Sequence, residues 1–346
     1  MVNKEMAKDC IENKECRMCQ SKDMISYLNL GDMPTEKMIK KCFICGNKDF
    51  KFLYYNKDRL YGVPGRFRIE KCKLCGLIFV NPSPKDLGKY YPGDYYSFNK
   101  IRECNNFKMK YKLLLYKLNH YNSRPFLKFL LTPTRQFVRH INLNNKKRLL
   151  DVGCGSGQFL YEMGELGLTE LHGVEPYGCH INSKKYNLNI KKCSLLSAKY
   201  PSNYFYTITL CHSLEHMDNP VEILKEIKRI LKRKGELVIE VPNTNSFNFW
   251  IFGKRWFNLD TPRHLYNYND KNLTFYLESL GFKIKKIRYK GNTLSLSSLN
   301  YFFTERGFKI DKKIIGFFSY INSILFDKIL SIFKLGEHIE IICEKE

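Results

Sequence analysis

Two groups of residues combine types and spacings that could do chemistry. Asp151-Val152-Gly153-Cys154-Gly155-Ser156-Gly157 sets glycines at alternate positions between an apolar run and an apolar-periodic segment. Such a turn lets the backbone bend tightly and approach a ligand, with amide donors at a helix start. A nucleotide site would use it, and so would a plain strand-to-helix turn. Further on, His172-Gly173-Val174-Glu175-Pro176 reads as a short strand ending in a carboxylate. In a doubly wound sheet that carboxylate can accept hydrogen bonds from a ribose diol. The second group is thiols. Cys42-x-x-Cys45 and Cys72-x-x-Cys75 are knuckles separated by 26 residues, each followed by glycine (Gly46 and Gly76). Four thiolates so spaced suit a tetrahedral structural zinc, reduced unliganded thiols being the alternative. A closed four-cysteine site has no open position, so the metal would hold the fold. Nothing at the amino terminus resembles a secretory signal, which argues against disulfides.

The elements that must position these groups are legible in outline. Leu149 and Leu150 lead into the glycine turn as a strand, and Phe205 to Leu210 is a β-branched and aromatic strand. Val221 to Leu231 carries Val221, Ile223, Leu224, Ile227, Ile230 and Leu231 at helical spacing, and Lys234-Gly235 ends it. Glu236 to Asn243 forms the next strand. Phe282 to Tyr289 and His338 to Glu344 read as the last two. Between those two lie 47 residues, Lys290 to Gly336, with nine Phe or Tyr and seven Lys or Arg. A hairpin needs only a few. The extra chain suits a lid over an acceptor, an interfacial helix against a bilayer, a dimer face or added core.

At the glycine turn the chain resembles the class I methyltransferases that use S-adenosylmethionine, whose first motif is Asp-Val-Gly-Cys-Gly-Ser-Gly nearly letter for letter. The resemblance implies a Rossmann-like α/β fold: a seven-stranded doubly wound sheet, its last strand antiparallel. It implies that Asp151, Gly153, Cys154, Gly155 and Gly157 hold the methionine end of the cofactor, and that Glu175, with Pro176, receives the ribose. Where many relatives carry an acidic residue facing adenine, after a third strand near Ile190 to Cys193, Ser194-Leu195 stands here. A hydroxyl, backbone amides and apolar packing would then hold the base. Cys211-His212-Ser213-Leu214-Glu215-His216 follows the fourth strand. The family's Leu-Glu-His element, common in enzymes acting on small molecules, quinones or sugars, brings Cys211, His212 and His216 to the cofactor. A helix-capping or core histidine is the bland alternative for His216.

The acceptor side is read from Pro262-Arg263-His264-Leu265, matching the family's Pro-x-His-Leu motif. In sugar C-methylating relatives a Tyr-x-Glu-His-like cluster there includes the base. His264 matches the histidine, Arg263 replaces the glutamate, and no tyrosine precedes it at the matching place. A neutral imidazole could remove an acceptor proton while Arg263 orients a phosphate or carboxylate. Alternatively His264 caps a helix starting near Asn269 to Asn272. Lys71 to Pro84 and Tyr90 to Tyr96 resemble the amino-terminal module of a bacterial and archaeal subset found among surface-polysaccharide genes, where a zinc ribbon precedes the catalytic domain. Cys16-Arg17-Met18-Cys19 with Leu28 to Pro34 is similar to the opening of the zinc domain in deoxysugar C-methyltransferases, but lacks a second knuckle of its own. Cys10, Cys16 and Cys19 are left as a partial site or free thiols.

Composition fits a cytosolic enzyme: 346 residues, 44% apolar, can hold one catalytic domain and a small module. Lys and Arg number 58 against 34 acidic residues, a formal charge of +24. Between Asn99 and Arg148 stand thirteen Lys or Arg and one acidic residue, Glu103. Such a surface attracts phosphate, whether in nucleic acid, anionic lipid or a nucleotide-linked or lipid-linked substrate. A solvated helical linker would look the same. No window is long and apolar enough for a membrane span. The expected organisation is a leader over 1–40, a zinc ribbon over 41–84, a basic helical linker over 85–140 and a methyltransferase domain over 141–346 with an insertion at 290–336. The expected activity is methyl transfer from S-adenosylmethionine to a small or carrier-linked metabolite, foremost O-methylation of a surface-glycan sugar. A quinone or polyprenyl-type acceptor, RNA, and a non-catalytic cofactor-binding scaffold are the alternatives. The expected location is the cytoplasm, with peripheral contact to the inner face of the membrane through 290–336 left open.

Overall fold

The structure, a computed structural model, describes residues 37–92, 95–99, 101–102, 148–177, 186–291, 296–308 and 327–346. The leader cysteines Cys10, Cys16 and Cys19, most of the basic linker and the middle of the insertion lie outside the described residues.

Seven strands form the main sheet: β4 (Leu149–Val152), β5 (Leu171–Val174), β6 (Leu188–Lys191), β7 (Phe205–Cys211), β8 (Leu231–Pro242), β10 (Phe282–Lys290) and β11 (His338–Lys345). Their order is β10-β11-β8-β7-β4-β5-β6. From β8 to β6 the pairs are parallel, while β11 runs antiparallel to both β8 and β10. The central strands β4 and β5 are buried along their whole length, as parallel strands covered on both faces must be. Helix α1 (Gln158–Glu165) opens from the glycine turn, with Gly157 at its N-cap in the left-handed region (φ 81°). In α2 (Pro220–Ile230) proline occupies the first turn, where its missing N–H costs nothing, and Ile223, Leu224, Ile227 and Ile230 are buried. The third strand ends two residues earlier than the sequence indicates, at Lys191 rather than Cys193. Strand β8 begins five residues earlier than expected, at Leu231, because the chain around Lys234-Gly235 bulges and rejoins the ladder at Glu236.

A second, four-stranded antiparallel sheet joins β1 (Phe50–Asn56), β2 (Phe67–Cys72), β3 (Ile78–Val80) and β9 (Tyr266–Asn267) in that order. Strands β1 to β3 come from the cysteine-bearing segment and β9 from the catalytic half. Ile78 and Phe79 pair with Asn267 and Tyr266, and Val80 N–H donates to Leu265 O at 3.0 Å. Phe43, between the first two cysteines, packs edge-on against Tyr266 and against Tyr276 of α4 (Asp270–Ser279). One apolar cluster runs from Cys42, Ile44 and Phe79 into Leu150, Ile208 and Ile239. The two sheets therefore share a core, and β9, the strand that the catalytic half gives to the smaller sheet, leads straight out of the His264 loop.

Candidate active site

The glycine turn sits at the carboxyl end of β4. Its glycines are required by space as well as by conformation. A Cβ on Gly153 (φ 75°) would lie 2.6 Å from Ser213 Cβ, and one on Gly155 (φ 52°) 2.7 Å from Ser97 O. Glu175, just past β5, is buried and accepts Gly155 N–H through Oε2 and Tyr177 N–H through Oε1, each at 3.0 Å. Asp151 is buried at the end of β4 and accepts from Thr209 Oγ1 at 2.6 Å. Burial pushes its carboxyl up to about 7. Cys154 is buried and Pro176 exposed. Ser194 binds Ser197 through its hydroxyl (2.9 Å) in the turn after β6, beside buried Leu195. Cys211 ends β7, and His212 follows with φ 51°.

Residues 95–99 and 101–102, with Tyr91, lie across this turn. Ser156 N–H donates to Ser97 O (2.9 Å), and Gln158 exchanges hydrogen bonds with the backbone of Arg102. The Tyr91 ring stacks on Tyr177 at 5.1 Å with 9° between planes, and its hydroxyl lies 2.8 Å from His216 Nδ1. Tyr91 and Tyr177 thus connect the Glu175 side to the histidine side. The sequence carried no signal for either ring beyond the place of Tyr91 in a tyrosine-rich segment.

His216 and His264 come together, ring centroids 4.5 Å apart. His216 closes the short 3-10 turn Leu214–His216. The His264 loop is clamped to that turn and to the four-stranded sheet by one residue: Leu265 N–H donates to Glu215 O (2.8 Å) while Leu265 O accepts from Val80. His264 Nδ1 meets Asn258 O at 2.7 Å, and His216 Nδ1 meets Arg263 O at 3.1 Å. A carbonyl only accepts, so each ring donates Nδ1–H there, and a neutral ring so placed keeps its lone pair on Nε2. Burial and the neighbouring His264 hold His216 down at about 4. Helix α4 has its own cap, a reciprocal Asn269–Asn272 box, so His264 does not serve that purpose.

Arg263 departs from the sequence reading. Its guanidinium is fully buried and saturated, by Asp58 (2.7 and 3.1 Å), Asp260 (2.6 Å) and Tyr90 O (3.1 Å). With no donor left over, it cannot orient an acceptor. It latches the loop after β1 to the His264 loop instead, beside the Asn56–Thr261 hydrogen bond (2.9 Å).

Glu215 lies under the histidine pair, fully buried. Burial opposes its charge, yet His212, His264 and His216 draw its carboxyl down to about 2. Burial likewise opposes the His212 imidazolium, but Glu215 and Glu240 hold it up at about 10. Glu215 is the middle letter of the Leu-Glu-His element, a signal that the sequence did offer.

The sulfurs of Cys42, Cys45, Cys72 and Cys75 lie within 4.8 Å of one another, with Cys42–Cys75 at 3.6 Å and Cys45–Cys72 at 3.5 Å. Gly46 (φ 74°) and Gly76 (φ 76°) complete two matching knuckles, donating to Cys42 O and Cys72 O at 2.9 and 3.0 Å. A hydrogen bond from Cys75 pulls the Cys42 thiol down to about 5 and pushes Cys75 up in return. Such crowding of thiols fits a soft cation bound by four sulfurs.

A family model described as a methyltransferase domain matches residues 120–313, more than half of the chain. The chain belongs to that family. The seven-stranded order and the glycine turn agree, and the domain is a class I S-adenosylmethionine-dependent methyltransferase domain. Among curated relatives, a tRNA U34 carboxymethyltransferase of Trichodesmium erythraeum is 28% identical over 113 residues, 30% of this chain and 35% of that protein. A ubiquinone biosynthesis O-methyltransferase of Xanthomonas oryzae pv. oryzae is 27% identical over 139 residues, 36% of this chain and 55% of that protein. The chain spans about a third to a half of the length of the curated relatives it matches. Among solved structures, a SAM-dependent methyltransferase from Archaeoglobus fulgidus aligns with TM-score 0.40 and 23% identity, over 69% of this chain and 98% of that one.

Proposed function

We propose that this methyltransferase moves a methyl group from S-adenosylmethionine to an oxygen of a small or carrier-linked metabolite, foremost a sugar. The observation that carries the reading is the gathering of the glycine turn, Glu175 and the His216–His264 pair at the carboxyl ends of β4, β5 and β7. That end of an open α/β sheet is where such folds bind ligands. The cofactor would lie along Asp151, Gly153, Cys154, Gly155 and Gly157. Glu175 and Pro176 would take the ribose, Ser194 and Leu195 the adenine edge, and Cys211 and His212 the floor. His216 and His264, with Nε2 lone pairs, would activate the acceptor. A cavity of about 480 Å³ between the loop after β1 and α5 (Leu296–Thr304) is lined by Asp58, Arg59, Tyr301 and Glu305, and so adjoins the Asp58–Arg263 latch rather than the histidine pair. Cys42, Cys45, Cys72 and Cys75 would hold one structural zinc.

Calorimetry with S-adenosylmethionine on wild type, Asp151→Ala and Glu175→Ala tests the cofactor half. Micromolar binding lost in both variants is expected; no heat from the wild type would sink the reading. A screen of nucleotide sugars, lipid-linked sugars and quinones then tests the acceptor.

Two observations favour further readings. The tRNA-modifying relatives and the charge of +24 support RNA as an alternative acceptor, which steep loss of RNA binding with rising salt would reveal. Trp250, Ile332 and Phe333 are exposed on neighbouring segments joined by the Phe247 N–H to Leu335 O bond. They support peripheral membrane contact through 290–336; no helix among the described residues is long and apolar enough to cross a bilayer. Flotation with anionic vesicles, and its loss on Phe333→Ser, checks that contact.

A further inference from the structure

The Glu215–His216–His264 cluster carries more than a pair of proton acceptors. One ligand atom from each of the three residues lies within 4.8 Å of the others, and His264 Nε2 stands 4.0 Å from Glu215 Oε1. Both histidines set Nδ1 against a backbone carbonyl, His216 sharing it with the Tyr91 hydroxyl, and such an outer bond commonly fixes a metal-binding imidazole with its other nitrogen toward the ion. Glu215 is fully buried, and neither carboxylate oxygen accepts a hydrogen bond among the described residues. A buried carboxylate without hydrogen bonds is costly unless a cation takes its place among them. His212 Nδ1, 3.5 Å from Oε1, balances its charge only in part and leaves Oε2 unanswered.

We propose that Glu215, His216 and His264 form a divalent-metal site, distinct from the four-cysteine site, that holds an oxygen of the acceptor. Two imidazoles and one carboxylate are a borderline donor set suited to Mn²⁺, Fe²⁺ or Zn²⁺, with positions left open for an outside ligand. A bound cation lowers the pKa of a coordinated hydroxyl and fixes its direction. The inference rests on the acceptor-side reading above and narrows it: the imidazoles act as ligands, and the acceptor is one that offers an oxygen donor. The other mixed cluster, His212, Glu240 and His338, does not share the vacancy in its bonding. Lys290 Nζ reaches Glu240 Oε2 at 2.6 Å, and His338 Nε2 accepts from Asn258 Nδ2 at 3.1 Å. An ammonium already supplies the positive charge there.

The test titrates Mn²⁺ alone into the full chain as purified and counts free ion by electron paramagnetic resonance. Mn²⁺ is hard and the thiolates soft, so the ribbon stays silent. The expected result is one Mn²⁺ per chain with imidazole nitrogen coupling in the pulsed spectrum. Binding should weaken at least tenfold in Glu215→Gln, His216→Gln and His264→Gln, and persist in His338→Gln. Because Glu215→Gln could fail to fold, each variant is also melted, and the partly exposed His216→Gln carries the test if it does. No Mn²⁺ on the wild type, or binding that survives all three substitutions, overturns the site and returns His264 to the part of a metal-free base. S-adenosylmethionine binding is measured on the same samples. Cofactor binding without Mn²⁺ refutes the cation site alone, whereas Mn²⁺ binding without cofactor refutes the methyltransferase reading and leaves the cation site standing.

Discussion

The cofactor half and the acceptor half of the site lie side by side and are built in opposite ways. On the cofactor side one contiguous turn supplies most of the residues, and neighbouring strands of a parallel sheet bring Glu175 to Gly155. On the acceptor side every group comes from a different place. His216 follows β7, and His264 sits between two 3-10 turns and β9. Tyr91 follows the ribbon, and Asp58, in the loop after β1, holds Arg263. The first half is local geometry; the second is a tertiary assembly in which the cysteine-bearing sheet is a structural member. A local site tolerates loss of distant packing. An assembled one does not.

That contrast can be broken or sharpened by substitution. The largest expected effect is on turnover: His264→Gln should lower kcat by about 10²–10⁴ while leaving S-adenosylmethionine affinity within a few-fold. Equal losses in both would erase the division between the halves. Next is Arg263→Ala, which strands the buried Asp58 and the half-buried Asp260 without their cation. Chemical denaturation should show a loss of about 3–5 kcal/mol, and a loss below 1 kcal/mol would show that the ribbon latch is dispensable.

Asp151 gives the third, through pH. Its folded-state carboxyl near 7 lies above the ordinary 3.8, so between those values the native protein keeps a proton that the unfolded chain has released. Stability therefore falls as pH rises through that window and levels off above it. Asp151→Asn should remove that slope. The variant-minus-wild-type difference in unfolding free energy should grow by on the order of 2–4 kcal/mol from pH 4 to pH 8. A flat difference would show that Asp151 is not held in its protonated form. The smallest effect is Glu175→Gln, which keeps the shape but weakens charge-assisted bonds. A roughly ten- to hundredfold loss of S-adenosylmethionine affinity by calorimetry is expected, with kcat at saturating cofactor little changed.

The residues that the sequence made legible share a physical trait: their conformation or spacing is enforced within a few positions. Gly153, Gly155 and Gly157 need positive φ wherever that turn occurs, and each knuckle closes on its own glycine. One buried face sets the apolar spacing in α2, whereas β4 and β5, buried throughout, still carry Asp151 and His172. From such patterns single strands, the helix α2 and the two cysteine knuckles could be read, while the doubly wound order and the antiparallel last pair followed from the family resemblance of the glycine turn.

What only the tertiary structure decided was how distant polar groups satisfy one another. Arg263 read as an anion-binding residue because a lone arginine beside a histidine looks unpaired in a sequence. Asp58, 205 positions away, could be matched to it only by folding. Glu215 read as a letter in a motif, and its depth beneath two histidines depends on Leu265 bridging the 214–216 turn and the ribbon. The period of apolar residues records which face is buried, since burial acts on each residue singly. Hydrogen bonds and ion pairs act on two residues at once, and the chain carries no mark of which two until the sheets are joined.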